Sequence, residues 1–262
     1  MCVFDFKLEY GYKNAGTVYL PDEKSINIPV IIYCHGWGSS NRKDLNPSTK
    51  AFMESVLELN MAFVAFDNFG CGETGGNYND MTYGVWAKCA EDVFDWVAEE
   101  EFSDKNKIGF FAISSGTTVA LRFAQNSNKP AFIISIATAI TAHIGMNDGG
   151  PVKVMIDNLD DLLDGDTVEL FGTSFKIDFY LDELKNLAVY SMDKIKCPVF
   201  FLQGAEDNIW RLTDAKLGYE LMKQNNQVCK YFLVDDAGHG LDEKPKVCSQ
   251  KSIEWLKDID II

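Results

Sequence analysis

The sequence predicts an α/β fold: a mostly parallel central sheet of about eight strands with helices on both faces. Three observations carry this expectation. Strand-like and helix-like patterns alternate along most of the chain, the order that a doubly covered parallel sheet produces. The strand candidates are short, continuous apolar runs, as strands buried on both faces require. At 262 residues and 47% hydrophobic content, the chain can form one domain with a large core.

Taken in order, Val3 to Tyr10 and Thr17 to Leu20 read as an opening antiparallel pair joined near Lys13-Asn14. Val30 to Cys34 is a strand, and Ser48 is expected to cap a helix carrying Phe52, Val56 and Leu59. Ala62 to Phe66 is the next strand. A helix from near Thr82 places Trp86, Cys89, Val93, Trp96 and Val97 at helical spacing, which makes those tryptophans core residues. Ile108 to Ala112 is a strand that turns directly into a helix with Val119, Leu121 and Phe123. Ala131 to Ala137, Pro198 to Leu202 and Tyr231 to Val234 complete the strands, and helices near Asp214 to Met222 and Lys246 to Leu256 close the sheet. Residues from about Thr138 to Tyr190 break the alternation, being rich in Asp and Gly with several Met and Phe. They are expected as a small cap or lid, roughly 138–190, inserted within a single 1–262 domain and shaping its pocket. A plain structural excursion is the competing reading.

The chemistry-bearing segment is Ala112-Ile113-Ser114-Ser115-Gly116. It is a variant of the nucleophile elbow G-x-S-x-G, where a tight strand-to-helix turn holds a serine on a strained corner. Of the two serines, Ser114 has small neighbours two places away on each side, Ala112 and Gly116. Ser115 would have Ile113 and Thr117, both β-branched. Ser114 is therefore the expected nucleophile, and Ser115 supplies a backbone N–H to a developing oxyanion. An N-capping serine in an ordinary turn is the bland alternative.

Three histidines are present: His35, His143 and His239. Where an elbow serine is served by a triad, the chain order is nucleophile, acid, histidine, which removes His35. His239 follows the run Tyr231 to Val234 between two glycines, where a loop residue can reach the elbow, and His143 is the runner-up. The acid is expected just after Pro198 to Leu202, within Gln203-Gly204-Ala205-Glu206-Asp207. Asp207 is preferred over Glu206 by register, and Asp235 and Asp236 sit beside the strand of His239 itself. Upstream, His35-Gly36-Trp37-Gly38 follows a strand, and this glycine-rich turn would aim the Trp37 N–H at the oxyanion.

Together these pieces resemble the serine α/β-hydrolases, and within that superfamily the bacterial cinnamoyl (feruloyl) esterases, over nearly the full length. The carriers are His35 to Gly38, Asp67-x-x-Gly70-x-Gly72, Ala112 to Gly116, Gly204 to Asp207 and Gly238-His239-Gly240. Val168 to Phe179 resembles the hairpin that those esterases insert over the active site. Two positions depart from the pattern: Ala112 stands for the usual first glycine, and Ile113 for a common histidine. The resemblance implies a Ser114–Asp207–His239 triad with oxyanion donors Trp37 and Ser115, acting on small hydroxycinnamate-type esters without a cofactor. A general carboxylesterase or monoacylglycerol lipase, an amidase or peptidase, and a non-catalytic ligand-binding protein on the same fold are the alternatives.

Composition narrows the partners to small molecules. A net charge of −15 argues against nucleic acid, anionic membrane surfaces and strongly anionic substrates. No run is long and apolar enough to span a bilayer, and the first residues lack a basic region and signal core. Seven scattered cysteines without a C-x-x-C pair read as reduced thiols, which predicts a cytoplasmic setting, although a removed leader would leave the same sequence. No metal-ligand spacing is seen. Gly70-Cys71-Gly72-Glu73-Thr74-Gly75 matches a dinucleotide fingerprint, but turn formers follow it where a helix should begin. Asp67 is expected to tie down that loop instead.

Overall fold

A computed structural model describes residues 1–37, 41–141, 150–170 and 172–262. In chain order the strands of the main sheet are β1 (Cys2–Lys7), β2 (Ala15–Leu20), β3 (Ile28–Cys34), β4 (Ala62–Phe66), β5 (Ser103–Ile113) and β6 (Ile133–Ile136). A separate hairpin, β7 (Val168–Leu170) and β8 (Thr173–Phe175), precedes the last two strands of the sheet, β9 (Val199–Gly204) and β10 (Cys229–Val234). The sheet has eight strands in the order β1-β2-β4-β3-β5-β6-β9-β10. Strand β2 runs antiparallel to β1 and β4, and all other pairings are parallel. The opening pair and the β-run positions follow the sequence reading to within a few residues.

The helices are α1 (Pro47–Glu58), α2 (Tyr83–Glu99), α3 (Ser115–Asn126), α4 (Gly150–Asp157), α5 (Leu159–Leu163), α6 (Ile177–Lys185), α7 (Leu212–Gln224) and α8 (Pro245–Asp258). The continuous apolar strands feed two cores, one on each face. Val30 and Ile32 of β3 join Trp86 and Val93 of α2 on one side. Ile31 and Tyr33 join Phe52 of α1 and Trp255 of α8 on the other. Side chains two apart on a strand share a face, so a run with no polar positions fills both cores at once. Trp86 is fully buried, as a core residue should be, while Trp96 is half-buried and stacks on Phe6 at 4.0 Å against the edge of that core.

One expectation is corrected. Ser48 does not cap α1: Asn46 does, accepting from the Thr49 N–H at 3.1 Å. Pro47 occupies the first helical position, where its missing N–H costs nothing. The helix therefore starts two residues earlier than a Ser48 cap would place it, and Ser48 donates instead to the Leu241 carbonyl at 2.6 Å.

The connection from β6 to β9 holds α4, α5, the β7–β8 hairpin and α6, followed by a 3₁₀ segment at Ala188–Lys194. It is fastened to the nucleus of the fold from α3. Arg122 donates to the Asp182 carboxylate at 2.5 Å and to the Asn186 carbonyl at 3.2 Å. Gln125 donates to the Ala188 carbonyl at 2.8 Å. Arg122 also lies 5.3 Å from the Tyr83 ring centroid, a cation–π contact.

Candidate active site

The elbow is where β5 ends and α3 begins. Ser114 stands between them with φ 55° and ψ −125°, a conformation that side chains with a Cβ rarely adopt and that persists only when its surroundings fix it. Those surroundings are visible. The Ser114 N–H donates to the Ile136 carbonyl of β6 at 2.9 Å, and its carbonyl accepts from the Thr117 N–H and hydroxyl at 2.9 and 2.6 Å. Gly116 is a steric necessity, because a Cβ there would lie 2.1 Å from the Cys34 carbonyl oxygen. Gly116, one of the two small residues that sequence reasoning used to choose between the serines, is thus small for the expected reason. Ala112 is fully buried between Cys34 of β3 and Ser135 of β6.

Asp207 lies on the loop after β9, and its side chain is fully buried. It accepts four donors: Gln203 Nε2 at 2.8 Å, Ile209 N–H at 2.9 Å, Trp210 N–H at 3.0 Å, and His239 Nδ1 at 3.0 Å. Burial by itself would raise its pKa. The hydrogen bond and charge of His239, with the Trp210 and Ile209 N–H groups, outweigh burial and hold the carboxyl below the usual carboxylate range. Gly204 lets the two loops meet, since a Cβ on it would sit 2.2 Å from the Gly238 carbonyl oxygen. Accepting from Nδ1 fixes the His239 tautomer and leaves Nε2 as the basic nitrogen. Glu206, Asp235 and Asp236 are exposed, and Asp236 pairs with Lys244 at 3.3 Å.

Ser114, Ser115, Trp37 and His239 line one cavity of about 610 Å³, together with Tyr33, Trp210, Asp44 and Asp242. Gly36 brings the loop after β3 against the elbow: its Cβ position lies 3.3 Å from Ser114 Cβ. Ser115 is the first residue of α3 and is buried. The Trp37 ring packs edge-on against Phe175 and Phe179, each 5.3 Å away, which ties the hairpin segment to the cavity wall. His35 is fully buried, with Nδ1 on the Gly36 carbonyl at 2.9 Å and Nε2 accepting the Asn68 N–H at 3.2 Å. Burial pushes its pKa below the ordinary value, so it is a neutral strut and not a proton carrier. His143 lies outside the described residues, as do Gly38, Ser39 and Ser40.

The loop after β4 is built around Asp67, whose carboxylate accepts the Arg42 guanidinium, the Arg42 N–H at 2.7 Å and the Glu73 N–H at 2.9 Å. Its glycines lead into a short 3₁₀ turn, Tyr78–Asp80, before α2 starts, so no helix N-terminus faces them. Among the described residues no group of three or more His, Cys, Asp or Glu could hold a metal ion, and no helix is long and apolar enough to cross a membrane. Two neighbours of the site were missed in the sequence. Gln203 sits inside a strand run and carries no motif. Trp210 donates its indole N–H to Ser114 Oγ at 3.3 Å, yet nothing in Asn208-Ile209-Trp210 marks it as more than a core aromatic.

Two family models match the chain. One is BAAT / acyl-CoA thioester hydrolase C terminal, over residues 90–248, and the other is X-Pro dipeptidyl-peptidase (S15 family), over residues 12–163. Among curated proteins, an uncharacterized 31.7 kDa protein in the traX-finO intergenic region of Escherichia coli is 29% identical over 135 residues, covering 52% of this chain and 45% of that protein. The chain thus spans less than half the length of the curated relatives it matches. Among solved structures, Est1E from Butyrivibrio proteoclasticus with ferulic acid bound has a TM-score of 0.75 at 17% identity, covering 94% of this chain and 96% of that one. Pyrococcus furiosus esterase Pf2001 has a TM-score of 0.70 at 18% identity, covering 98% and 92%. At such identities the likeness is one of fold.

Proposed function

The chain belongs to the α/β-hydrolase superfamily, through the two family models it matches, and on that premise we propose that it is a serine carboxylic-ester hydrolase. Ser114 would attack the ester carbonyl while His239 Nε2 takes its proton, and Asp207 would stabilise the imidazolium that forms. The backbone N–H groups of Trp37 and Ser115 would hold the oxyanion, the latter aided by the N-terminus of α3. His239 would then protonate the leaving alcohol and activate water to free the acid from the acyl-enzyme. The observation that carries this reading is the Asp207–His239 hydrogen bond at 3.0 Å on the wall of the cavity that Ser114 enters at φ 55°.

The substrate we propose is a small neutral ester, hydroxycinnamate esters included. The cavity volume suits a small molecule, and Tyr33, Trp37 and Trp210 offer aromatic walls. Among the described residues its lining holds Asp44 and Asp242 but no Lys or Arg, an arrangement that disfavours the phosphates of an acyl-CoA thioester by like-charge repulsion. The test is labelling with a fluorophosphonate probe, expected to be stoichiometric in the wild type and absent in Ser114→Ala, followed by turnover of methyl ferulate against aliphatic esters of rising chain length. A folded wild-type protein that does not label would favour a ligand-binding role instead. Faster turnover of aliphatic esters would move the substrate class to a general carboxylesterase.

A further inference from the structure

Trp210 is held where it can act on the nucleophile itself. Its side chain is almost fully buried, and its indole N–H points at Ser114 Oγ, 3.3 Å away. The backbone N–H of the same residue donates to Asp207 Oδ1 at 3.0 Å, next to the Ile209 N–H at 2.9 Å. One carboxylate therefore sets the register of both the imidazole and the indole. An indole N–H is a donor only, while a serine hydroxyl offers one proton and two lone pairs. Trp210 must occupy a lone pair of Oγ, which leaves the hydroxyl proton free to point at His239.

Resting on the reading of Ser114 as nucleophile, we infer that Trp210 is a further catalytic residue, whose indole N–H stabilises Ser114 Oγ as the leaving group of deacylation. During attack Oγ gives an electron pair to the carbonyl carbon, so a donor on Oγ gains nothing and slightly blunts the nucleophile. During deacylation the balance reverses. Water adds to the acyl carbon and yields its proton to His239 Nε2, and the C–Oγ bond then breaks with the electron pair returning to Oγ. His239 returns the proton to Oγ and the free acid departs. Some negative charge develops on Oγ in both halves. In attack, however, the starting hydroxyl already accepts the indole N–H, whereas in the acyl-enzyme Oγ is an ester oxygen and a poor acceptor. The gain on reaching the transition state is therefore largest as Oγ leaves, and a fixed donor in a desolvated wall is worth most there.

The test is Trp210→Phe, which keeps an aromatic ring and removes the N–H. Acylation is read from stopped-flow release of p-nitrophenolate from p-nitrophenyl acetate. Deacylation is read by intact-mass spectrometry as loss of the acetyl adduct after the ester is removed. We expect deacylation to slow about tenfold, the scale of one hydrogen bond to a charged group, with acylation unchanged or faster. Equal loss in both steps, or no change in deacylation, overturns the inference, since a packing role would not separate them. A wild type that forms no adduct on Ser114 sinks the nucleophile reading, and this inference with it. If Trp210→Phe does not fold, the bond is read in a folded protein. Ser114→Ala should shift one of the five tryptophan indole N–H resonances upfield, and five unmoved resonances would overturn the inference.

Discussion

Replacing Asp207 by asparagine separates the charge of the acid from its geometry. Oδ1 accepts the Ile209 and Trp210 N–H groups at 2.9 and 3.0 Å, and Oδ2 accepts Gln203 Nε2 at 2.8 Å. An asparagine must keep its oxygen on the two backbone donors, so its amide nitrogen replaces Oδ2 and faces the Gln203 amide. A half-turn of Gln203 resolves that clash, because its Oε1 is buried without a hydrogen bond among the described residues. His239 Nδ1 retains Oδ1 as an acceptor at 3.1 Å, while the new amide nitrogen stands where Oδ2 accepted it at 3.0 Å. What disappears is the negative charge beside the imidazolium. With charge centres about 4 Å apart and an effective dielectric near 20, that interaction is about 4 kcal/mol, or roughly three powers of ten in rate. The assay is kcat/KM on p-nitrophenyl acetate with the fluorophosphonate inactivation rate and a thermal melt alongside. Both rates should fall about a thousandfold while Tm moves by a few degrees at most. A loss below tenfold would refute the assignment of Asp207 as the charge that supports His239.

Three further outcomes follow from buried groups. Asp214 accepts the Thr141 hydroxyl at 2.7 Å, and burial raises its pKa to about 6. The folded state therefore binds this proton more tightly than the unfolded chain, and the associated stability is present at low pH and lost as pH rises through about 6. Asp214→Asn should raise the melting temperature at pH 7.5 and leave it unchanged near pH 4. Arg42→Met leaves the buried Asp67 carboxylate without its cation, which should cost about 3–5 kcal/mol in urea unfolding; a loss below 1 kcal/mol would argue that the loop N–H groups suffice. Gly116→Ala pushes a Cβ against the Cys34 carbonyl; backbone cannot yield as a side chain does, so about 1–3 kcal/mol should be lost in the same assay, together with fluorophosphonate labelling.

The parts legible in the sequence are those where one residue type is forced. Gly116 is small because the end of β3 passes within contact of the elbow, and such sterics survive in a single sequence. The apolar runs gave the strands because both sheet faces are covered. The helix start at Asn46 was hidden because Ser48 has equal capping propensity, and only the preceding proline separates them. Trp210 was illegible for a different reason. Its contact with Ser114 depends on a turn of the Asp207 loop that brings the indole to the elbow, and no local spacing encodes such a distance. By periodicity the β6–β9 connection was readable only as an interruption, since its short helices and a hairpin of two three-residue strands have too little of it; the hairpin itself was expected only through the resemblance at Val168 to Phe179.

Arg122 belongs to the helix that starts one residue after Ser114, yet its guanidinium is anchored in α6, across the gap between the core and the β6–β9 connection. The two parts are mechanically coupled: displacing the connection as a rigid body means pulling on the helix that follows Ser114 and exposing a desolvated ion pair. Traffic into the cavity should then proceed by local side-chain yielding, not by wholesale swinging. Because that tether is shielded from solvent, added salt that weakens surface pairs should leave it in place.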